Sequence, residues 1–332
     1  MSKIKVAING FGRIGRAAFK IALDRRELEV VAVNDLTDNK TLAHLLKYDS
    51  VYGRFNKEVE ADGEYLIVGK NRIKSFAVKE PAQLPWGDLG VDVVLECTGV
   101  FRTREAAGAH LKAGARKVIL SAPAKGGDIA TFVKGVNDNK YNGQDIIDNA
   151  SCTTNCVAPV MAVVLAHWGV KKALMTTIHS YTADQNLIDG PHKDLRRARS
   201  AAVNIVPTTT GAARATAEAI PELKGKFDGL SIRVPTPVVS LSDFTILTEK
   251  PTSKEEVIEV FKQAAENPLY KNVLAVTEEP VVSTDIIGDL HSSIVDLPLT
   301  QVVDGDLLKI IAWYDNEFGY ANRLVEMVSV VA

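Results

Sequence analysis

The sequence contains little cysteine: Cys97, Cys152 and Cys156 are its three thiols among 332 residues. Three unevenly spaced cysteines cannot form the disulfide framework of a small secreted protein, which favours a reducing compartment. The chain also lacks a strong charge of either sign, and its net charge of −2 gives no electrostatic case for nucleic acid or a membrane as partner. No apolar run is long enough to span a bilayer, and the start MSKIKVAING has no signal-type apolar core. We therefore expect a cytoplasmic protein.

What the chain does have is the length and composition of an ordinary globular enzyme. It is 46% hydrophobic and 24% charged, and its 332 residues suffice for two domains with a large core. In the first half, near-continuous apolar runs alternate with helical patterns; the runs are KVAIN, LEVVAVND, VDVVLECTG and KVILSAP. Such runs are typical of strands covered on both faces. We predict an α/β domain with an open parallel sheet.

After about Ser151 the strand patterns become longer and alternate between polar and apolar residues. The segments ALMTTIHSYT, LSIRVPTPVVSLSDFTILTE and LLKIIAWYDNE predict an antiparallel or mixed sheet. Three helical patterns lie between them: Asn155–His167 (interrupted by Pro159), Gly211–Ile220 and Ser253–Asn267. We therefore place a domain boundary near residue 150, and the helical pattern at the end of the chain can dock on the first domain.

The segment NGFGRIGR has glycines at positions 10, 12 and 15, directly after a predicted strand and at the start of a helix. This G-x-G-x-x-G spacing lets a backbone approach a pyrophosphate at a helix N-terminus. The next strand ends at Asp35, twenty residues after Gly15, where a carboxylate can bind ribose hydroxyls and repel a 2′-phosphate. The pattern predicts NAD rather than NADP.

The stretch ASCTTNC places two thiols four residues apart. A disulfide within one helical face is strained, and no second cysteine pair or H-E-x-x-H motif completes a zinc site. Cys152 therefore is either a nucleophile or, with Cys156, part of the core. At the amino end of a helix its pKa should be lowered, which favours a nucleophile. His179 is a candidate base, although a lone histidine is more often structural.

A cationic cluster, Lys193, Arg196, Arg197 and Arg199, precedes the turn TTTGAA. Such a cluster is by default a solvated face, but the turn that follows it opens a helix and is a plausible anion site. Arg233, in a strand-like run, is a second cation that needs a partner if it faces inward. No aromatic residues interleave the cluster, so nucleic-acid binding is a weak interpretation.

Together these segments resemble the phosphorylating glyceraldehyde-3-phosphate dehydrogenase family. The matching stretches are INGFGRIGR, VAVNDL, LLKYDSVYGRF, ASCTTNC, SYTADQ, DLRRAR, PTTTGAA and WYDNEFGY, from residue 3 to the end of the chain. The resemblance implies a Rossmann-type NAD-binding domain over 1–150, completed by a helix over 317–332. It also implies an α+β catalytic domain with a mostly antiparallel sheet over 151–316, and a homotetramer.

The resemblance implies oxidation of D-glyceraldehyde 3-phosphate to 1,3-bisphosphoglycerate with NAD and inorganic phosphate, through a thiohemiacetal and a thioester. Cys152 is implied as the nucleophile and His179 as its base, with no metal. The residues implied for NAD are Gly10, Gly12, Arg13, Ile14, Gly15, Asp35, Lys79, Ser121, Asn316 and Tyr320. Those implied for the C3 phosphate are Thr182 and Arg233, and those for inorganic phosphate are Ser151, Thr153, Arg197, Thr210 and Gly211. The alternatives are an erythrose-4-phosphate dehydrogenase or a non-catalytic nucleotide-binding regulator.

Overall fold

The computed structural model describes residues 2–332, which form two compact units. The first unit comprises residues 2–132, 140–151 and 321–332, and the second comprises residues 133–139 and 152–320. The α-helices, in chain order, are α1 (Arg13–Leu23), α2 (Asn39–Lys47), α3 (Trp86–Leu89), α4 (Arg104–Lys112), α5 (Cys152–Trp168), α6 (Ala212–Ala219), α7 (Lys254–Glu266) and α8 (Phe318–Val331). Within residues 2–332, none of these helices combines the length and apolarity that a membrane crossing requires.

The first unit is built on a nine-stranded sheet. Its strands are β1 (Ile4–Asn9), β2 (Leu28–Asn34), β5 (Val59–Asp62), β6 (Tyr65–Val68), β7 (Asn71–Phe76), β8 (Val93–Glu96), β9 (Lys117–Leu120), β10 (Ala130–Thr131) and β11 (Ile146–Asp148), while β3 (Tyr48–Asp49) and β4 (Gly53–Arg54) form a separate pair. The order is β10-β11-β9-β8-β1-β2-β7-β6-β5. All neighbours are parallel except β5–β6 and β6–β7. The predicted α/β fold with a parallel sheet is confirmed.

Local signals explain where several helices of this unit begin. Asp38 caps α2 by accepting from the Thr41 backbone N–H at 3.0 Å, and Thr103 caps α4 in the same way. By contrast, α1 follows Gly12, which has no side chain to cap it, and has no acidic residue in its first turn. The N–H groups at the start of α1 therefore receive no side-chain cap from the residue before the helix.

The second unit contains a mostly antiparallel sheet, as predicted. Its strands are β12 (Lys172–Ser180), β13 (Val206–Thr209), β14 (Phe227–Val234), β15 (Ser240–Leu247), β16 (Leu274–Thr277), β17 (Ser293–Asp296), β18 (Gln301–Val303) and β19 (Leu307–Tyr314). The order is β13-β14-β12-β15-β19-β17-β16, with β18 also paired to β19. β12 and β14 run parallel, and their register makes His179 the neighbour of Arg233. This one pairing brings together two residues 54 positions apart in the chain.

Helix α5 corrects one expectation. The interruption predicted at Pro159 is wrong, because α5 runs without a break from Cys152 to Trp168. A proline inside a helix removes one backbone hydrogen bond. In α5, however, Pro159 is buried, as are its neighbours in the middle of the helix. Burial of so much apolar surface offsets the lost hydrogen bond.

Candidate active site

Cys152 and His179 form the centre of the site. Cys152 is the first residue of α5, and its Sγ lies 3.5 Å from Nε2 of His179, near the end of β12. The other ring nitrogen, Nδ1, lies 2.7 Å from the carbonyl oxygen of Ser180. Because a carbonyl oxygen only accepts, Nδ1 must carry the proton and Nε2 the lone pair. The lone pair therefore faces the thiol.

The surroundings of His179 keep its imidazole neutral. The side chain is 4% exposed, and burial lowers its pKa to about 3. The positive charges of Arg233 and Arg197 act in the same direction, while the hydrogen bond to Ser180 opposes them. At neutral pH the ring is therefore an uncharged base that can accept a proton from Cys152.

The pKa of Cys152 is the second point at which the sequence misleads. Burial raises the pKa of this thiol above its ordinary value, although Arg233 and hydrogen bonds with Thr153 lower it in part. The expectation of a lowered pKa is wrong in direction, because removal from water outweighs the effect of the helix terminus. The resting thiol is therefore protonated, and the lone pair of His179 is the base that faces it.

Cys156, one turn further along α5, has different surroundings. It is completely buried, and its Sγ lies 3.7 Å from the hydroxyl of Ser293. Burial raises the pKa of this thiol to about 12. Cys97, Cys152 and Cys156 are all free thiols, so Cys156 is a packing residue and the two cysteines of ASCTTNC are not joined.

Tyr314, at the end of β19, packs against His179 and binds Thr153, the residue after Cys152, and was missed in the sequence. Its hydroxyl lies 3.0 Å from Oγ1 of Thr153 and 2.8 Å from Oγ1 of Thr177. Its ring meets that of His179 edge-on, with 6.0 Å between centroids. Burial raises the pKa of Tyr314, so the phenol stays neutral. The available signal was its place in WYDNE, at the end of an alternating strand.

Arg233 points one guanidinium nitrogen at Thr182. Its Nη1 donates to Oγ1 of Thr182 at 2.9 Å and lies 3.4 Å from the carbonyl oxygen of Ser180. Burial lowers the pKa of Arg233, but the group remains a cation. Its buried Nε has no hydrogen-bond partner among the described residues. This buried N–H is therefore an unused donor on a residue that is the register partner of His179.

The structure divides the cationic cluster of residues 193–199. Arg197 points back to β13: Nε donates to Oγ1 of Thr208 at 3.0 Å and Nη2 to the carbonyl of Thr209 at 3.1 Å. Asp184 forms an ion pair with its Nη1, and Asp194 accepts from the Thr208 hydroxyl. These two carboxylates were missed in the sequence. Arg199, by contrast, is largely exposed and pairs with Asp189 on the surface, so this part of the cluster is a solvated face.

The turn TTTGAA lies where β13 ends and α6 begins. Oγ1 of Thr210 accepts from the backbone N–H of Ala212 at 3.2 Å. Gly211 precedes α6, is exposed, and a Cβ at this position would meet no atom within 4 Å. Of the other two phosphate candidates, Ser151 is half-buried immediately before α5 and Thr153 is buried in its first turn.

In the first unit, two of the three glycines of NGFGRIGR, Gly10 and Gly15, are required by space. A Cβ on Gly15 would lie 2.0 Å from the carbonyl oxygen of Gly10, and Gly10 has a φ of +92°. A Cβ on Gly12 would meet nothing within 4 Å, so open space lies in front of the α1 N-terminus. Asp35 follows β2, and its carboxylate accepts from the N–H of Phe11 at 2.8 Å and of Thr37 at 3.0 Å.

Comparison with known proteins identifies the family of this chain. The family model "glyceraldehyde 3-phosphate dehydrogenase, NAD binding domain" matches residues 4–104, and "glyceraldehyde 3-phosphate dehydrogenase, C-terminal domain" matches residues 151–316. The chain is 56% identical over 336 residues to glyceraldehyde-3-phosphate dehydrogenase of Mycobacterium avium, covering 99% of this chain and 98% of the relative. It is 54% identical over 331 residues to the same enzyme of Geobacillus stearothermophilus, with the same coverage. The chain belongs to the glyceraldehyde-3-phosphate dehydrogenase family.

Membership makes the chain an NAD-dependent dehydrogenase that oxidises glyceraldehyde 3-phosphate. The first unit fits NAD. The space in front of Gly12 is open because this residue has no side chain, and the N–H groups at the start of α1 have no side-chain cap, so a pyrophosphate can approach them. The carboxylate of Asp35 lies at the same turn through its bond to Phe11.

The other cofactor candidates of the first unit lie at the same edge of the sheet or at the start of α1. Arg13 opens α1 and forms an ion pair with Asp49 at 2.7 Å, and Ile14 follows it, half-buried. Lys79 is exposed in the segment after β7. Ser121 directly follows β9, half-buried. Chain order thus places all four after a strand, where open α/β sheets bind ligands.

Two further candidates belong to the second unit. Asn316 is 5% exposed, and its Oδ1 accepts from the hydroxyls of Ser180 at 3.0 Å and Ser240 at 3.1 Å. These contacts fix the amide orientation and make Nδ2 its donor end. Tyr320 is buried in the first turn of α8.

Proposed function

We propose that this chain converts D-glyceraldehyde 3-phosphate to 1,3-bisphosphoglycerate, with NAD as oxidant and inorganic phosphate as second substrate, in glycolysis or gluconeogenesis. The observation that carries the proposal is the contact between the Cys152 thiol and the lone pair of His179, with Arg233 beside both. A thiol, a neutral base and a cation with a buried unused donor suit covalent chemistry on a phosphorylated aldehyde.

His179 begins the reaction by taking the thiol proton at Nε2. The Cys152 thiolate attacks the aldehyde carbon, and the oxyanion receives hydrogen bonds from His179 and from the Cys152 backbone N–H at the start of α5. His179 then returns its proton to the oxyanion, which gives a thiohemiacetal and leaves Nε2 of His179 free to act as a base again. NAD, when bound, would accept the hydride that leaves C1 of the thiohemiacetal. His179 removes the hydroxyl proton, and a thioester remains on Cys152.

Inorganic phosphate then attacks the thioester carbonyl, the carbon–sulfur bond breaks, and Cys152 leaves as a thiolate. Two anion sites serve this chemistry in our proposal. Thr182 and Arg233 hold the C3 phosphate of the substrate. The attacking phosphate is held by Ser151, Thr153, Arg197, Thr210 and Gly211. Gly211 supports the site for the attacking phosphate. It is exposed and has no side chain, so nothing on this residue obstructs an anion at the start of α6.

For the cofactor, we propose a domain over 1–150, completed by the helix over 317–332, and a catalytic domain over 151–316. Asp35 binds the adenosine ribose, and the glycine turn with Arg13 and Ile14 binds the pyrophosphate. Lys79 and Ser121 contact the adenine–ribose portion. In the catalytic domain, Nδ2 of Asn316 donates to the nicotinamide carboxamide and Tyr320 packs near that ring.

We also propose a homotetramer in the cytoplasm. Five large apolar side chains in the segment 187–205 are each at least 70% exposed in the single chain: Leu187, Ile188, Leu195, Val203 and Ile205. So many exposed apolar residues in one segment are typical of a surface that another protein copy covers. Light scattering on the purified protein should give four times the mass of 35.9 kDa.

A steady-state assay with glyceraldehyde 3-phosphate, NAD or NADP, and varied inorganic phosphate tests the reaction. We expect a rate that saturates with phosphate and is higher with NAD. An equal or higher rate on erythrose 4-phosphate, independent of phosphate, contradicts the proposed substrate. Full physiological activity of a Cys152→Ala variant contradicts an enzymatic role and supports a nucleotide-binding regulator.

A further inference from the structure

A buried carboxylate lies at the carboxyl edge of the first unit's sheet, and no step described above uses it. Glu96 is the last residue of β8 and is 2% exposed. Its two oxygens accept from four donors: Asn9 Nδ2 at 2.6 Å, His110 Nε2 at 2.9 Å, the Thr98 N–H at 2.8 Å and the Thr98 hydroxyl. A buried carboxylate with this many donors is held in one orientation.

The protonation state of His110 follows from its neighbours. Trp86 Nε1 lies 3.0 Å from His110 Nδ1, and an indole N–H can only donate. Nδ1 therefore accepts, Nε2 carries the proton, and this proton points at Oε2 of Glu96. His110 and Trp86 are both completely buried, so neither has water as an alternative partner.

A second series of hydrogen bonds reaches Glu96 from the neighbouring strands. Asn34, at the end of β2, exchanges two hydrogen bonds with the backbone of Val78, each 2.9 Å long. Its Nδ2 also donates to Oδ1 of Asn9 at 2.7 Å. Asn9, at the end of β1, can then only turn its Nδ2 toward Glu96. The direction of every bond in this series is fixed, and the series joins the carboxyl ends of three adjacent strands.

The other oxygen of Glu96 orders the turn after β8. The Thr98 hydroxyl donates to Glu96 while it accepts from the N–H of Val100 at 3.1 Å. This turn lies against the glycine turn, because a Cβ on Gly10 would come within 2.7 Å of the Thr98 nitrogen. β1 lies between β2 and β8, at the point where the strand order changes direction and where such sheets bind dinucleotides.

We infer that Glu96 is a positioning residue for NAD. Its carboxylate locks the Thr98 turn against Gly10 and so sets the shape of the cradle that receives the dinucleotide. The charged form is required, since all four partners donate. An amide at this position has one acceptor atom and turns an N–H₂ group toward two donors, so one side of the network must open.

The test is the dissociation constant of NAD, measured by calorimetry on the full-length protein, together with its melting temperature. We expect Glu96→Gln to raise the NAD dissociation constant about tenfold or more. Trp86→Phe is the matched control, because it removes a hydrogen bond of the same network without changing any residue that contacts Glu96. It should lower the melting temperature and change the NAD dissociation constant by less than about twofold. Equal NAD affinity in Glu96→Gln and wild type, at a lowered melting temperature, assigns Glu96 a purely structural role and overturns the inference.

Thr98→Val is a second variant in case Glu96→Gln fails to fold. It removes one hydroxyl contact with Glu96 at nearly constant shape, so the protein should keep its fold. We expect weaker NAD binding, by about three- to tenfold, and unchanged KM values for glyceraldehyde 3-phosphate and phosphate at saturating NAD. An unchanged NAD dissociation constant in this variant also overturns the inference.

Discussion

His179 turns the lone pair of its Nε2 toward the sulfur of Cys152, 3.5 Å away, because its Nδ1 donates to the backbone carbonyl of Ser180. The tautomer of the base is thus set by its own chain, one residue further along β12. The hydrogen bond to this carbonyl raises the pKa of His179, but burial of the ring and the charges of Arg233 and Arg197 outweigh it, so the pKa is lowered and the resting ring is neutral.

Replacement of the nucleophile is the most direct test. We expect Cys152→Ser to lose at least about a thousandfold in kcat, because an alcohol at neutral pH is a far poorer nucleophile than a thiolate. NAD should still bind, since the glycine turn and Asp35 belong to the other unit. The measurement is kcat together with NAD titration. Cys156→Ser is the matched control and should keep near-normal turnover, because Cys156 is a buried packing residue. Near-normal turnover of Cys152→Ser would contradict the proposed mechanism.

Burial of His179 predicts a stability that depends on pH. The imidazole pKa is about 3 in the folded chain against an ordinary value of 6.5. Between these values the unfolded chain takes up a proton and the folded chain does not, so stability falls as pH falls below about 6.5. The slope contributed by this one group is at most about 1.4 kcal/mol per pH unit. Urea unfolding at several pH values should show a shallower slope for His179→Asn than for wild type. Identical slopes would mean that His179 titrates normally in the folded protein.

Arg233 is expected to select for the phosphate of the substrate. Arg233→Gln should raise KM for glyceraldehyde 3-phosphate about ten- to a hundredfold, the range expected for a lost charged hydrogen bond. Activity on unphosphorylated glyceraldehyde should fall much less, because that aldehyde has no phosphate to bind. Arg199→Gln provides the control, since Arg199 is a largely exposed partner of Asp189. If both aldehydes lose activity equally, Arg233 acts on Cys152 and His179 and does not bind phosphate.

Asp35 is expected to set the cofactor preference. Asp35→Gly should lower the ratio of kcat/KM for NAD to that for NADP about tenfold or more, through lost ribose contacts and lost repulsion of a 2′-phosphate. Steady-state kinetics with both cofactors measure this ratio. Asp24→Asn, at the opposite end of α1, should leave it unchanged. A constant ratio in Asp35→Gly would show that the carboxylate serves the N–H groups of Phe11 and Thr37 alone.

Local patterns in the sequence predicted those parts of the molecule that depend on neighbouring residues. The helix expected over 253–267 is α7, with Ser253 and Asn267 as its two caps. The start of α1 at Arg13 follows equally from the strand and glycines before it. Capping, turn chemistry and periodicity act over a few residues and can therefore be read without a structure.

Long-range contacts could not be predicted in this way. The position of Arg233 beside His179 depends on the register of two strands that are distant in sequence, and the role of Tyr314 depends on three elements meeting. The prediction of a lowered pKa for Cys152 was wrong for the same reason. The helix start is a local feature, whereas burial depends on the whole unit. Asp184 and Asp194 were missed because nothing nearby distinguishes them from surface acids.

The parallel pairing of β12 with β14 also fixes the distance between two residues of the site. Adjacent strands lie about 4.8 Å apart, and the pairing of β12 with β14 holds His179, the proposed base, beside Arg233, the proposed phosphate anchor. The distance between the backbone positions of these two residues is set by main-chain geometry, which is far less flexible than a side chain. If Arg233 holds the substrate phosphate as we propose, this fixed distance should favour sugar phosphates with one particular number of carbons between the carbonyl and the phosphate.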